Sequence, residues 1–191
     1  MHRVLFPRLH LAEIEDQSWC PEFLRTHTHR ALARAWKTST SKNGSPALQA
    51  SKILVQELGG LSNTAEYTFV DSCAGAGGPT PIIEPRLNEQ LRSAGLNSVR
   101  FKLTDLWPDL KAWKEIASKS ENISYVEEPI DATKARRLSG EKKECRLYNL
   151  CFHHFDDAAA EQVLSSAIES SDAFLYVILY LYSLFLDFAY M

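Results

Sequence analysis

Asp71, Asp105, Asp131 and Asn149 punctuate four short apolar runs, and these side chains could bind a ligand together. Asp71 closes "YTFVDS", Asp105 closes "VRFKLTD", Asp131 follows "ISYVEE", and Asn149 lies within "CRLYNLCF". Beyond Asp71 comes the small-residue turn "SCAGAGG", in which Gly75, Gly77 and Gly78 can take positive φ and let a ligand approach the main chain. The same glycines would serve in a tight corner with no ligand. Four residues before Gly75, the Asp71 carboxylate suits a positively charged amine. His153 and His154 follow the fourth run and are the candidates for a general base. The plainer alternative puts one at the surface and packs the other beneath Phe152 or Phe155.

Phosphate chemistry fits this turn poorly. A dinucleotide fingerprint requires G-x-G-x-x-G, but Gly75-Ala76-Gly77-Gly78-Pro79-Thr80 has no third glycine at that spacing. Pro79 and Pro81 also remove amide donors that a pyrophosphate would use. No G-K-[ST] follows, which excludes a P-loop. A metal site is not expected either. His27 and His29, two apart on a helix, diverge, and the adjacent His153 and His154 should splay apart.

The elements that must position these residues are legible from periodicity. Apolar positions from Pro21 to Lys37 recur at helical spacing, with Arg25, Arg30, Arg34 and Lys37 forming a solvated basic face. Trp19, Phe23 and Trp36 in this region are equally suited to a lid or to core packing. Ser45 and Pro46 start a second helix that stops at Gly59-Gly60. From Tyr67 onwards strands alternate with helices. Thr80 is expected to cap the helix "TPIIEPRLNEQLRSAG", with Pro85 disturbing its first turn. Leu110, Trp113, Ile116 and Ala117 make the inward face of the next. This alternation predicts an α/β, doubly wound, mostly parallel sheet, with residues 1–62 a helical extension and 63–191 the core of a single domain. In such sheets ligands bind beyond the carboxyl ends of the strands, where the strand order reverses.

"VDSCAGAGG" resembles the cofactor motif of class I S-adenosylmethionine-dependent methyltransferases, an acidic residue followed by G-x-G-x-G. Asp71, Gly75 and Gly77 match the acid and the last two glycines, while Cys73 stands in place of the first. The resemblance implies S-adenosyl-L-methionine as cofactor and a Rossmann-like core. It further implies that Asp105 accepts both ribose hydroxyls, that Asp131 meets the adenine amino group, and that Asn149 to His154 lie beside the methyl-transfer site. Together with "FPRLHLAEIEDQSWCPEFLR" and "LYNLCFHHFDD", the pattern is similar to a group of fungal methyltransferase-like proteins. That likeness implies fold and cofactor but no substrate.

The 191 residues carry a formal charge of −3, which gives no electrostatic reason to expect nucleic acid. "NLCFHHF" also lacks the proline-bearing segment that stacks a flipped base. A small molecule or a protein side chain is the expected acceptor. Cys20, Cys73, Cys145 and Cys151 form no C-x-x-C pair and read as reduced thiols of a cytoplasmic protein. The family's sheet has seven strands, whereas this chain ends soon after the fifth with "VILYLYSLFLDFAYM". The expectation is a shortened sheet lacking its last strands, whose apolar tail packs on the sheet or self-associates, with methyl transfer weak or absent. A spanning helix needs roughly 20 apolar residues. Asp187 interrupts the tail, and a membrane anchor is therefore not favoured.

Overall fold

The computed structural model describes residues 13–39 and 44–177. Strands β1 (Tyr67–Ser72), β2 (Phe101–Thr104), β3 (Ile123–Tyr125), β4 (Lys143–Asn149) and β5 (Ala173–Val177) form one sheet in the order β3-β2-β1-β4-β5. Every pairing is parallel. The chain builds outward from β1 to β3, then returns to lay β4 on the free side of β1. The order therefore reverses between β1 and β4. Ser72 is in register with Thr104 on one side and Tyr148 on the other, which brings the three strand ends level. The tail expected to pack or self-associate lies outside the described residues, apart from β5.

Strands β1 and β4 are buried on both faces, as a parallel sheet between helix layers requires. On one face Phe69 stacks on Phe101 with centroids 4.9 Å apart. Helices α1 (Glu22–Ala35) and α3 (Leu61–Thr64) flank α2 (Pro46–Glu57) in the chain, and Leu54 of α2, Leu87 of α4 (Thr80–Ser93) and Trp113 of α5 (Leu110–Ala117) complete this layer. On the other face Tyr148 packs with Val163 and Ala167 of α6 (Asp157–Ser170). Beneath that layer the fully buried Glu144 and Arg146 form an ion pair at 2.8 Å. Glu144 Oε2 also accepts the amides of Leu138 and Ser139, so the pair clamps the crossover that leads into β4. No described helix is long and apolar enough to cross a membrane.

Three of the six described helices start at a side-chain cap. Ser45, Asp109 and Asp156 cap α2, α5 and α6 through their side-chain oxygens. Thr80 does not cap α4: Pro79 holds that position, and the Thr80 hydroxyl is drawn instead to Asp71. The helix runs unbroken through Pro85, contrary to expectation. β3 and β4 end earlier than their apolar runs suggest. Leu150 has a φ of +58°, which stops β4 and turns the chain into a short 3-10 turn, Phe152–His154. Of the expected inward face of α5, Trp113 is fully buried but Leu110 is exposed.

Candidate functional site

At the reversal point a cavity of about 260 Å³ opens beyond the ends of β1 and β4. Asp71, Gly75, Asp105, Asp131, Asn149 and His154, six of the side chains and turn positions singled out from sequence, all line it. Gly77 and His153 do not. Gly77 faces the helix layer, where a Cβ would lie 2.4 Å from Ile116 Cδ1, and its φ is +99°. It shapes the turn from behind. His153 opens onto a separate surface hollow beside Phe152 and Tyr176.

Asp71 is fully buried at the cavity floor. Thr80 Oγ1 donates to its Oδ2 at 2.6 Å and Asn149 Nδ2 donates to its Oδ1 at 2.9 Å. Burial lifts its pKa from an ordinary 3.8 to about 7, although both hydrogen bonds pull the other way. With Nδ2 held by Asp71, Asn149 Oδ1 is left buried with no partner. A buried acceptor in that state is a standing free-energy penalty that a ligand donor would relieve.

Asp105 ties the site's loops together. Its Oδ2 accepts the Gly75 amide and its Oδ1 the Trp107 amide, each at 2.7 Å, while its own carbonyl accepts from Ile130. Burial raises its pKa against those two hydrogen bonds. Gly75 is further fixed by Trp113 Nε1, which donates to its carbonyl at 2.8 Å. A φ of +52° and the His29 ring, 3.3 Å from where a Cβ would sit, both favour glycine here. Cys73 takes φ +59° with a side chain present, a strained conformation for a non-glycine residue. Asp131 caps the 3-10 turn Ala132–Lys134 through Oδ1, which accepts from Thr133 N and Oγ1.

The outer wall comes from the amino-terminal helix α1 (Glu22–Ala35) and the 3-10 turn Ile14–Asp16 before it. His29, Leu32 and Trp36 of this region reach the cavity, whereas Trp19 and Phe23 are exposed. Of the three aromatics only Trp36 meets the cavity, and it does so as a fully buried member of the core, the packing alternative rather than a lid. Arg25 corrects the expectation of a solvated basic face. It is buried, donates to the Glu15 and Gln17 carbonyls, and lies 4.3 Å over the Trp107 ring. His29, Glu15, Asp16 and Trp107 escaped the sequence reading. The signal was the spacing of 25, 29, 32 and 36, one stripe on a helix. Burial lowers the His29 pKa despite the neighbouring Asp105 charge.

The histidine pair also differs from expectation. The rings do not splay but lie 4.1 Å apart, tilted by 36°. Glu13 is the cause, with one oxygen 3.1 Å from His153 Nε2 and the other 3.7 Å from His154 Nδ1. Asp16 Oδ2 lies 2.8 Å from the same Nδ1. Burial would lower the His154 pKa, but Asp16, Glu13 and Glu15 together raise it.

No family model matches the chain, and no curated protein matches it. Among solved structures it is similar to an O-methyltransferase family protein from Burkholderia thailandensis, at 17% identity and a TM-score of 0.52. The alignment covers 80% of this chain and 40% of that one, so the chain spans well under half of that protein's length. A protein from Thermoplasma acidophilum aligns at 13% identity over 75% of this chain and 65% of its own, with a TM-score of 0.41 too low to add to the argument. The five-stranded parallel sheet with helices on both faces is a Rossmann-like fold of the methyltransferase type.

Proposed function

We propose that the chain binds S-adenosyl-L-methionine in this cavity and transfers its methyl group to a small-molecule or protein acceptor. The observation that carries the reading is the set of lining groups. Glu15, Asp16, Asp71, Asp105 and Asp131 line the cavity with the unpartnered Asn149 Oδ1, and among the described residues no Lys or Arg does. Walls rich in acceptors suit a ligand that brings donors and positive charge. S-adenosylmethionine brings an ammonium, a sulfonium, a ribose diol and an adenine amino group. The fold's likeness to an O-methyltransferase supports the same reading.

The residues present fit the cofactor. After accepting Gly75 and Trp107, each Asp105 oxygen keeps a lone pair for a ribose hydroxyl. Asp131 keeps Oδ2 for the adenine amino group. Asp71 and Asn149 Oδ1 would meet the ammonium, with Gly75 allowing close approach of the main chain. Bound there, the cofactor supplies an electrophilic sulfonium methyl. The chain's own part is to align the acceptor and exclude water. His154, at the wall, is the group that would take a proton from the acceptor. The same carboxylates would repel a phosphodiester backbone, which disfavours a nucleic-acid acceptor.

Trp107 lines the cavity, so ligand entry should change its fluorescence. Titration with S-adenosylmethionine and its demethylated product should give saturable changes. Asp105→Asn should weaken both by roughly 1.5–3 kcal/mol, the range for a hydrogen bond to a charged group. Unfolding of the variant without ligand separates that loss from loosening of the Gly75 turn. Unchanged affinity in Asp105→Asn would remove this residue from the ligand's contacts, and a radiolabelled methyl-transfer assay on candidate acceptors tests the chemistry.

A further inference from the structure

At the outer edge of the cavity, where His154 forms part of the wall, Glu13, His153 and His154 each present one donor atom, and the three atoms lie within 4.8 Å of one another. We propose that these residues bind a divalent transition ion of the Zn²⁺ type. The ion would fasten the amino-terminal turn to the end of β4. The proposal does not need the cofactor, but an ion on His154 would exclude that residue as the base that takes the acceptor's proton.

Donor type and geometry both carry it. Two imidazoles and a carboxylate are the ligand set that borderline ions such as Zn²⁺ select over Mg²⁺ or Ca²⁺, which want oxygen alone. Donors about 2.1 Å from a tetrahedral ion lie about 3.4 Å apart. Glu13 Oε1 lies 3.1 Å from His153 Nε2 and Glu13 Oε2 3.7 Å from His154 Nδ1, so each imidazole already has a carboxylate oxygen near that separation. An ion would draw these donor atoms together from within 4.8 Å of one another. The His rings already face one another, and Glu13 already addresses one oxygen to each. Three protein donors leave a fourth position open to water or another ligand. Asp16 Oδ2 lies 2.8 Å from the same His154 Nδ1, so the ion would take that nitrogen in place of this hydrogen bond.

The consequence is structural. Glu15 and Asp16, two of the cavity's carboxylates, belong to the segment that Glu13 anchors. A bound ion would hold that wall against the turn after β4, so metal would set how tightly the cavity is closed.

The test is equilibrium dialysis of the untagged full chain against Zn²⁺, with bound metal measured directly. One ion per chain is expected. Glu13→Gln, His153→Ala and His154→Ala should each lower the affinity at least about tenfold, comparable to the loss of a metal-orienting partner. Co²⁺ should give the intense visible bands of a low-coordinate site. His153 is exposed, so His153→Ala should fold normally, and its metal-free melting temperature serves as the check. Failure of the wild type to take up the ion would overturn the proposal. So would uptake that persists in a His153→Ala/His154→Ala double variant, which would assign the ion to other groups.

Discussion

Asp71 concentrates the electrostatics of the site in one side chain. Its carboxyl is fully buried, and burial holds its pKa near 7. Because the folded value lies above the unfolded one, the folded protein binds this proton more tightly. The stabilisation is fully present below the ordinary value of 3.8 and is lost as pH rises through about 7. At about 1.4 kcal/mol per pH unit, the full span amounts to roughly 4 kcal/mol. Asp71→Asn mimics the protonated form and should remove this slope. Urea titrations from pH 4 to 8 should therefore show the variant gaining on the wild type as pH rises. Parallel stability profiles would mean that Asp71 is ionised throughout. Asp71 and Asp105 were legible in the sequence because each falls where an apolar run ends, and parallel strands put such positions in one crevice; Asn149, inside its apolar run, was legible through the family resemblance. His29 was not, because its place depends on how α1 docks against the Gly75 turn. Nor was the Glu13 bridge that gathers the two histidines.

The glycine turn functions through the elements behind it as much as through its own backbone. Gly77 carries φ +99° and faces Ile116 of α5. Gly77→Ala combines a disfavoured backbone with a clash, and should destabilise the fold by about 1–3 kcal/mol or more. Ile116→Val removes the clashing Cδ1 and should restore part of that loss in the double variant, measured by denaturant unfolding. An equal loss in single and double variants would assign the whole effect to φ. Element boundaries show the same division between local and tertiary information. Helices α2, α5 and α6 start where polar caps are written into the sequence. Helix α4 departs from that rule because its threonine binds Asp71, a partner in another strand. β4 stops at Leu150 because the chain turns there, while its apolar composition continues.

At the scale of the whole molecule, the sheet order β3-β2-β1-β4-β5 sets the location of everything else. Alternating strand and helix patterns were enough to predict a doubly wound parallel sheet, and through it the crevice where Asp71, Asp105 and Asn149 meet. The wall contributed by α1 and the turn before it could not be read in that way. It rests on Arg25, whose buried guanidinium joins the Glu15 and Gln17 carbonyls to the Trp107 ring. The result is a crevice lined with acceptors, at the place where a phosphate-binding fold would present amides. Calorimetric titration of the full chain with S-adenosylmethionine, NAD and ATP in parallel tests that distinction directly. We predict one saturable site for S-adenosylmethionine and none for the two phosphate-bearing nucleotides. Binding of NAD or ATP by folded protein that gives no heat with S-adenosylmethionine would contradict it.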